Sequence, residues 1–190
     1  MKKVVALMFL LWPVMLLAQG KEKQQLKWST IASAGLATGE SNTKPVFQLS
    51  GGVNYNRFFT GIGVGYDTYE FNSVPLFADW RVKFGKKQAA FVYANGGYSF
   101  AGKYQMDNDF SKTADDIKGG LYTDIGIGYR VPLGSLHRLG LSAGFSQKNI
   151  TQRKVFVFPC LTGDCPEDIR EYRYRFNRIV AKLSWEIGSK

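Results

Sequence analysis

From Leu121 to Val131 the residues Leu121, Thr123, Ile125, Ile127, Tyr129 and Val131 share one face of an extended chain. Tyr122, Asp124, Gly126, Gly128 and Arg130 share the other. Successive side chains of a strand point to opposite faces, so this stretch predicts a β-strand with one apolar and one polar or small face. The same split sets Leu76, Ala78, Trp80, Val82 and Phe84 against Phe77, Asp79, Arg81 and Lys83, and sets Leu139, Leu141, Ala143 and Phe145 against Arg138, Gly140, Ser142, Gly144, Ser146 and Lys148. In the last such stretch Ile179, Ala181, Leu183, Trp185 and Ile187 face away from Arg178, Lys182, Ser184 and Glu186. The least regular case lies near Phe91 and Tyr93, which fall opposite Val92, Tyr98 and Phe100. Strands are predicted near residues 25–37, 45–55, 58–68, 74–84, 88–104, 118–131, 137–154 and 172–187, and helical periodicity is hard to find outside the first twenty residues.

The connections add topology. Asn56-Arg57, Gly85-Lys86-Lys87 and Pro132 to Leu136 read as tight hairpins, whereas Thr38 to Lys44, Tyr69 to Ser73, Gln105 to Ile117 and Val155 to Glu171 read as longer polar loops. Short and long connections are thus expected to alternate without exception. That is the order of an up-and-down barrel crossing an outer membrane, with short turns on the periplasmic side and loops outside. The predicted fold class is all-β, an eight-stranded antiparallel up-and-down transmembrane β-barrel.

Alternation alone does not say whether the apolar face meets lipid or a core, and a soluble lipocalin-like barrel binding an apolar ligand also alternates. Aromatic residues gather toward strand ends: Tyr55, Phe58, Phe59, Trp80, Phe84, Tyr129 and Trp185 near the short turns, and Tyr66, Tyr69, Tyr98, Tyr104 and Tyr122 near the loops. Two girdles at the two membrane interfaces produce such a distribution, with Tyr55, Phe58, Trp80, Phe84, Tyr129, Trp185, Tyr66, Tyr98 and Tyr122 as its candidates. The polar faces carry charges of both signs among Gly and Ser. An eight-stranded barrel is just wide enough inside for side chains to fill. Asp79, Arg81, Lys83, Asp124, Arg130, Arg178, Lys182 and Glu186 are therefore expected to form a paired network in the lumen, because an unpaired buried charge is expensive.

The strand pieces Gly63-Val64-Gly65-Tyr66, Gly96-Gly97-Tyr98 and Gly126-Ile127-Gly128-Tyr129, together with the strand count and the short turns, resemble the small outer-membrane β-barrels of the OmpA and OmpX type from Gram-negative bacteria. The resemblance implies an outer-membrane location and recognition by the barrel insertion machinery. Such barrels often end in an aromatic residue, whereas this chain ends Trp185-Glu186-Ile187-Gly188-Ser189-Lys190, keeping only the alternating apolar finish.

Residues outside the strands refine the picture. Lys2-Lys3, the apolar run Val4 to Leu17 and then Ala18-Gln19 have the order of a cleaved secretory signal, too short for a spanning helix, so residues 1–18 are assigned to a signal peptide and 19–190 to the barrel. The chain has 25 Lys and Arg against 15 Asp and Glu, a net charge of +10. These cations are dispersed, with no basic helix or ring-stacking motif, which argues against nucleic acid and for outer-membrane lipid and acidic lipopolysaccharide as partners. Cys160 and Cys165, in an exported chain, predict a small disulfide loop, with a metal site or two free thiols as alternatives.

Chemistry is sparse. The single histidine, His137, follows Ser135 and Leu136 at a turn, where a Ser-His pair lacks the geometry and the orienting carboxylate that nucleophilic catalysis needs. Asp107, Asp109, Asp115 and Asp116 could offer oxygen ligands to a divalent cation, but a solvated flexible loop is the preferred reading of them. No catalytic residue, metal or cofactor is expected. The predicted function is a non-enzymatic outer-membrane barrel acting through its shape and outer loops in envelope integrity, adhesion or binding of an external partner. A lipid-modifying barrel enzyme is the alternative from another class.

Overall fold

The computed structural model describes residues 26–40, 42–85, 87–101, 116–157 and 167–188. Their strands are β1 (Lys27–Thr38), β2 (Thr43–Tyr55), β3 (Phe58–Asp67), β4 (Ser73–Phe84), β5 (Ala90–Ala101), β6 (Asp116–Lys118), β7 (Gly120–Pro132), β8 (His137–Val157) and β9 (Glu167–Gly188). β1 to β5 pair antiparallel in sequence order, β5 pairs with β7, β7 with β8 and β8 with β9, and β9 pairs back onto β1. β6 and β7 both lie against β8 and form one interrupted stave, so the sheet closes as an eight-stave up-and-down barrel without helices among the described residues.

The interruption has a local cause. Lys118 pairs with Thr151 but Tyr122 pairs with Lys148, so one extra residue is absorbed between them as a bulge. Gly119 sits at that point, and a Cβ there would lie 1.8 Å from the Ser99 carbonyl oxygen. Glycine is what lets β5 and β8 both pair with this stave.

Closure is staggered. Following hydrogen-bonded partners outward from Trp28, the path runs through Val53, Thr60, Trp80, Ala94, Ile125, Phe145 and Ile179, and returns to β1 at Thr38, ten residues above its start. A stagger of ten over eight staves corresponds to a strand tilt of roughly 40°. At about 3.3 Å per residue, those ten residues then span a height of about 25 Å, the height of the outward apolar band in transmembrane barrels.

Polarity is inverted relative to a soluble protein. Ile62, Ile127 and Ile179 are 73%, 66% and 68% exposed, whereas Asp79 and Lys148 are fully buried and Arg178 is 2% exposed. The outward band also contains Leu49, Leu76, Leu141 and Leu183, and this is the polarity of a transmembrane β-barrel.

Two expectations from sequence need correcting. The connection from β1 to β2 covers residues 39–42 and that from β3 to β4 covers 68–72, no longer than the turns at 85–89 and 133–136. Thr43 and Lys44 continue the ladder instead of leaving it, so the length asymmetry rests on the third and fourth loops alone. The fourth loop also begins later than expected. β8 and β9 stay paired as far as Val157 and Glu167, while β1 stops opposite Ile179, so these two strands project beyond the rest of the barrel at the loop end.

The apolar band gives a direct test. Ile127→Arg, near mid-height on β7, is expected to destabilise the protein by about 2–4 kcal/mol in lipid bilayers, measured by urea unfolding in vesicles. An unchanged midpoint would contradict burial of this face in hydrocarbon.

Candidate functional site

The inward face is a filled, charged column with three levels. At the turn end Glu186 accepts from Arg130 Nη1 at 2.9 Å and from Arg138 Nη1 at 3.2 Å. Beside it Lys83 donates to Asn54 Oδ1, and the Asn54 amide donates to Ser29 Oγ at 2.7 Å. The void lined by Arg81, Lys83, Arg130, Arg138 and Glu186 amounts to about 10 Å³, room for one water.

Two carboxylates organise the middle level. Asp79 is gripped by Arg81 through Nε at 2.9 Å and Nη2 at 2.8 Å, and Ser50 donates to it at 2.8 Å. The Arg81 guanidinium lies 5.7 Å from the ring centres of both Phe59 and Phe91, so its faces are covered by aromatic rings. Asp124 takes Lys182 Nζ at 2.5 Å and the hydroxyls of Tyr93 and Tyr122 at 3.0 and 3.2 Å. Gln48, from the opposite wall, accepts from Lys182 at 3.1 Å and donates to Tyr122 at 2.7 Å, tying β2 to β7 and β9 across the lumen.

At the loop end Asp67 holds Arg178 at 2.5 Å and Lys148 at 3.3 Å. Lys148 also donates to the carbonyls of Tyr69 and Phe71 at 2.8 and 3.0 Å and to Ser73 at 3.2 Å. These bonds draw the β3–β4 connection inward. Tyr69 is buried over Arg178, and Tyr69, Phe71, Tyr174 and Phe176 pack into an aromatic cap in which Tyr174 and Phe176 stack and Tyr69 meets Phe176 edge-on. Width is set by small residues opposite the rings: a Cβ on Gly63 would lie 2.5 Å from the Phe77 ring.

All eight residues expected in the lumen face it, and the pairs are Arg81 with Asp79, Lys182 with Asp124, Arg130 with Glu186 and Arg178 with Asp67, while Lys83 bonds the neutral Asn54. Sequence reasoning did not single out Asp67, Gln48, Tyr93, Arg138 or Lys148 as network members. Their inward parity on amphipathic strands was the available signal. Of the girdle candidates, Tyr55, Phe58, Trp80, Phe84, Tyr129, Trp185, Tyr66 and Tyr98 face outward. Tyr122 does not: it is 3% exposed and bonds Asp124, because its position on β7 has the same parity as Asp124. Phe59 and Tyr69 likewise point inward.

His137 stands at the turn-end rim, where Trp185 Nε1 donates to its Nδ1 at 3.3 Å. Among the described residues no group of three or more His, Cys, Asp or Glu is placed to hold a metal. The signal segment, Tyr104, Asp107, Asp109, Asp115, Cys160 and Cys165 lie outside the described residues, as does the side chain of Asp116.

No protein-family model and no curated protein matches the sequence. Among solved structures the chain is similar to the de novo designed TMB2.3, with 14% identity, TM-score 0.36, and coverage of 86% of this chain and 95% of that one. It is similar also to the translocator domain of autotransporter NalP from Neisseria meningitidis, with 10% identity, TM-score 0.27, and coverage of 98% and 96%. A third similarity is to the transport unit of the autotransporter AIDA-I from Escherichia coli, with 11% identity, TM-score 0.20, and coverage of 92% and 93%. The barrel architecture described above stands on its own strand pairing and polarity.

The lumen network predicts non-additive mutants. Asp124→Leu leaves Lys182 without its carboxylate and is expected to destabilise the barrel by about 3–5 kcal/mol, whereas Asp124→Leu with Lys182→Met recovers most of the loss. Urea titration of the single and double variants checks it. Equal instability of both would mean that the pair is not a unit.

Proposed function

We propose that this chain is an integral outer-membrane β-barrel of the small OmpA and OmpX type, inserted by the barrel insertion machinery, which works through its shape and outer surface and not through catalysis or conduction. The observation that carries the reading is the inverted polarity: an exposed apolar band around a core of paired charges. A lipocalin-like carrier needs the opposite arrangement, with the apolar face lining an internal cavity.

A sealed lumen favours a mechanical and adhesive role over transport. The ion-pair levels and the aromatic cap occupy the path that a solute would take. The part best placed to meet partners is the projecting β8–β9 hairpin. β9 from Glu167 to Arg178 pairs with β8 on one side, and among the described residues no strand pairs with its other edge. An open edge offers backbone donors and acceptors to an external protein, while its charged side chains oppose indiscriminate pairing.

Two measurements test this proposal. Cell fractionation followed by electrophoresis with and without boiling is expected to recover the protein in the outer membrane with a heat-dependent mobility shift. Planar-bilayer recordings of the folded protein are expected to show no stable, large openings. A detergent-free soluble protein would overturn the membrane reading, and steady conductance would overturn the sealed-lumen reading while leaving the barrel intact.

A further inference from the structure

The turn end of the lumen holds more positive charge than its carboxylates meet. Arg130 and Arg138 share Glu186, Arg81 is taken up by Asp79, and Lys83 stands beside them with no carboxylate of its own, so four cations face two anions. The loop end also has an extra cation in Lys148, but there the surplus is absorbed. Besides Asp67, Lys148 reaches the carbonyls of Tyr69 and Phe71 and the hydroxyl of Ser73. Lys83 is as deeply placed, at 5% exposure, yet among the described residues it bonds only the neutral amide oxygen of Asn54. An ammonium carries three donors, so two are left without a protein acceptor.

The neighbouring guanidinium groups repeat this surplus. Arg130 gives Nε to the Gln88 carbonyl and Nη1 to Glu186, and Arg138 gives Nη1 to Glu186. Nη2 of Arg130 and both Nε and Nη2 of Arg138 make no hydrogen bond among the described residues. These side chains border one space: Lys83, Arg130 and Arg138 line the void of about 10 Å³, with Glu186 beside them and the buried ring of Phe91 as an apolar wall. Arg138, its side chain 30% exposed, is the part of this lining within reach of solvent at the turn end.

We infer that this void is a halide site, in which one chloride ion from the solvent at the turn end is held by Lys83, Arg130 and Arg138. The volume sets the size of the occupant, since it admits one water or a monoatomic ion of about that size and excludes phosphate and carboxylates. Charge then separates the two. A water accepts from two of the spare donors and leaves the surplus uncancelled, whereas an anion accepts from all of them and offsets it. That difference counts for more here than in bulk water, because the effective dielectric inside the barrel is lower. The ion ties β4, β7 and β8 together, and Glu186 on β9 limits its affinity by competing for the same two guanidinium groups.

The test uses the full protein folded in detergent micelles, with the fold of every variant checked by the heat-dependent mobility shift. Urea unfolding is followed at constant ionic strength while chloride replaces gluconate. Above the dissociation constant of the site, the unfolding equilibrium constant is expected to fall about tenfold for each tenfold rise in chloride. Lys83→Met is expected to abolish this dependence, and Arg57→Gln, an exposed cation at the same rim outside the void, to keep it. Glu186→Gln is expected to move the effect to lower chloride, which a purely structural loss of its ion pairs would not do. Crystals of the wild-type protein grown in bromide are expected to show one anomalous peak between Lys83 and Arg138, a result that does not depend on any variant folding. A void that holds water only, without an anomalous peak, would overturn the site. So would stability independent of chloride up to about 0.5 M, or a dependence that survives in Lys83→Met.

Discussion

The carboxylates of Asp67, Asp79, Asp124 and Glu186 are the interactions on which the rest of this barrel depends. Each lies inside a closed sheet too narrow for bulk water, and each is met there by at least one Lys or Arg. An unpaired charge in such a place is strongly destabilising, so the positions of these groups restrict how the staves can be registered. A slip of one residue in any strand would turn its charges into the hydrocarbon and its apolar residues into the lumen. The stagger of ten residues, the tilt, and the glycines opposite Phe77 and other rings are the geometric terms under which the pairs can form. Bonds such as Gln48 to Tyr122 cross the lumen and hold walls that are distant in sequence at a fixed separation.

Much of this was legible in the chain because a strand has a period of two. The split of Asp79, Arg81 and Lys83 from Ala78, Trp80 and Val82 needs no structure to be read, and the assigned faces follow from it. Where a second argument competed with parity, parity held. Tyr122 lies toward a strand end, as a girdle residue would, but shares the face of Asp124 and is bonded to it. Tyr69 follows the same lesson at a distance. Its place in a connection said nothing about direction, and the bonds from Lys148 to the carbonyls of Tyr69 and Phe71 fold that connection into the mouth of the barrel.

Partner choice within the lumen was not legible. Which cation meets which carboxylate depends on stagger, a property of the closed sheet that no single strand carries. Asp67 and Arg178 are far apart in sequence and meet only because the barrel closes with that offset. The projection of β8 and β9 was hidden for a related reason: Arg153, Glu171 and Arg173 are as polar as loop residues, and only the pairing of Arg153 with Glu171 reveals a continued ladder.

The central claim is that the apolar face meets lipid and the charges face inward. The most direct measurement is fluorescence quenching of a variant that keeps Trp80 and carries Phe at every other tryptophan, placed in vesicles whose lipids bear bromine along the acyl chains. Trp80 faces outward within the apolar band, so strong quenching by the brominated chains and little by aqueous iodide are expected. Quenching by iodide with none by the brominated lipid would mean that this face meets water, and the account would be wrong.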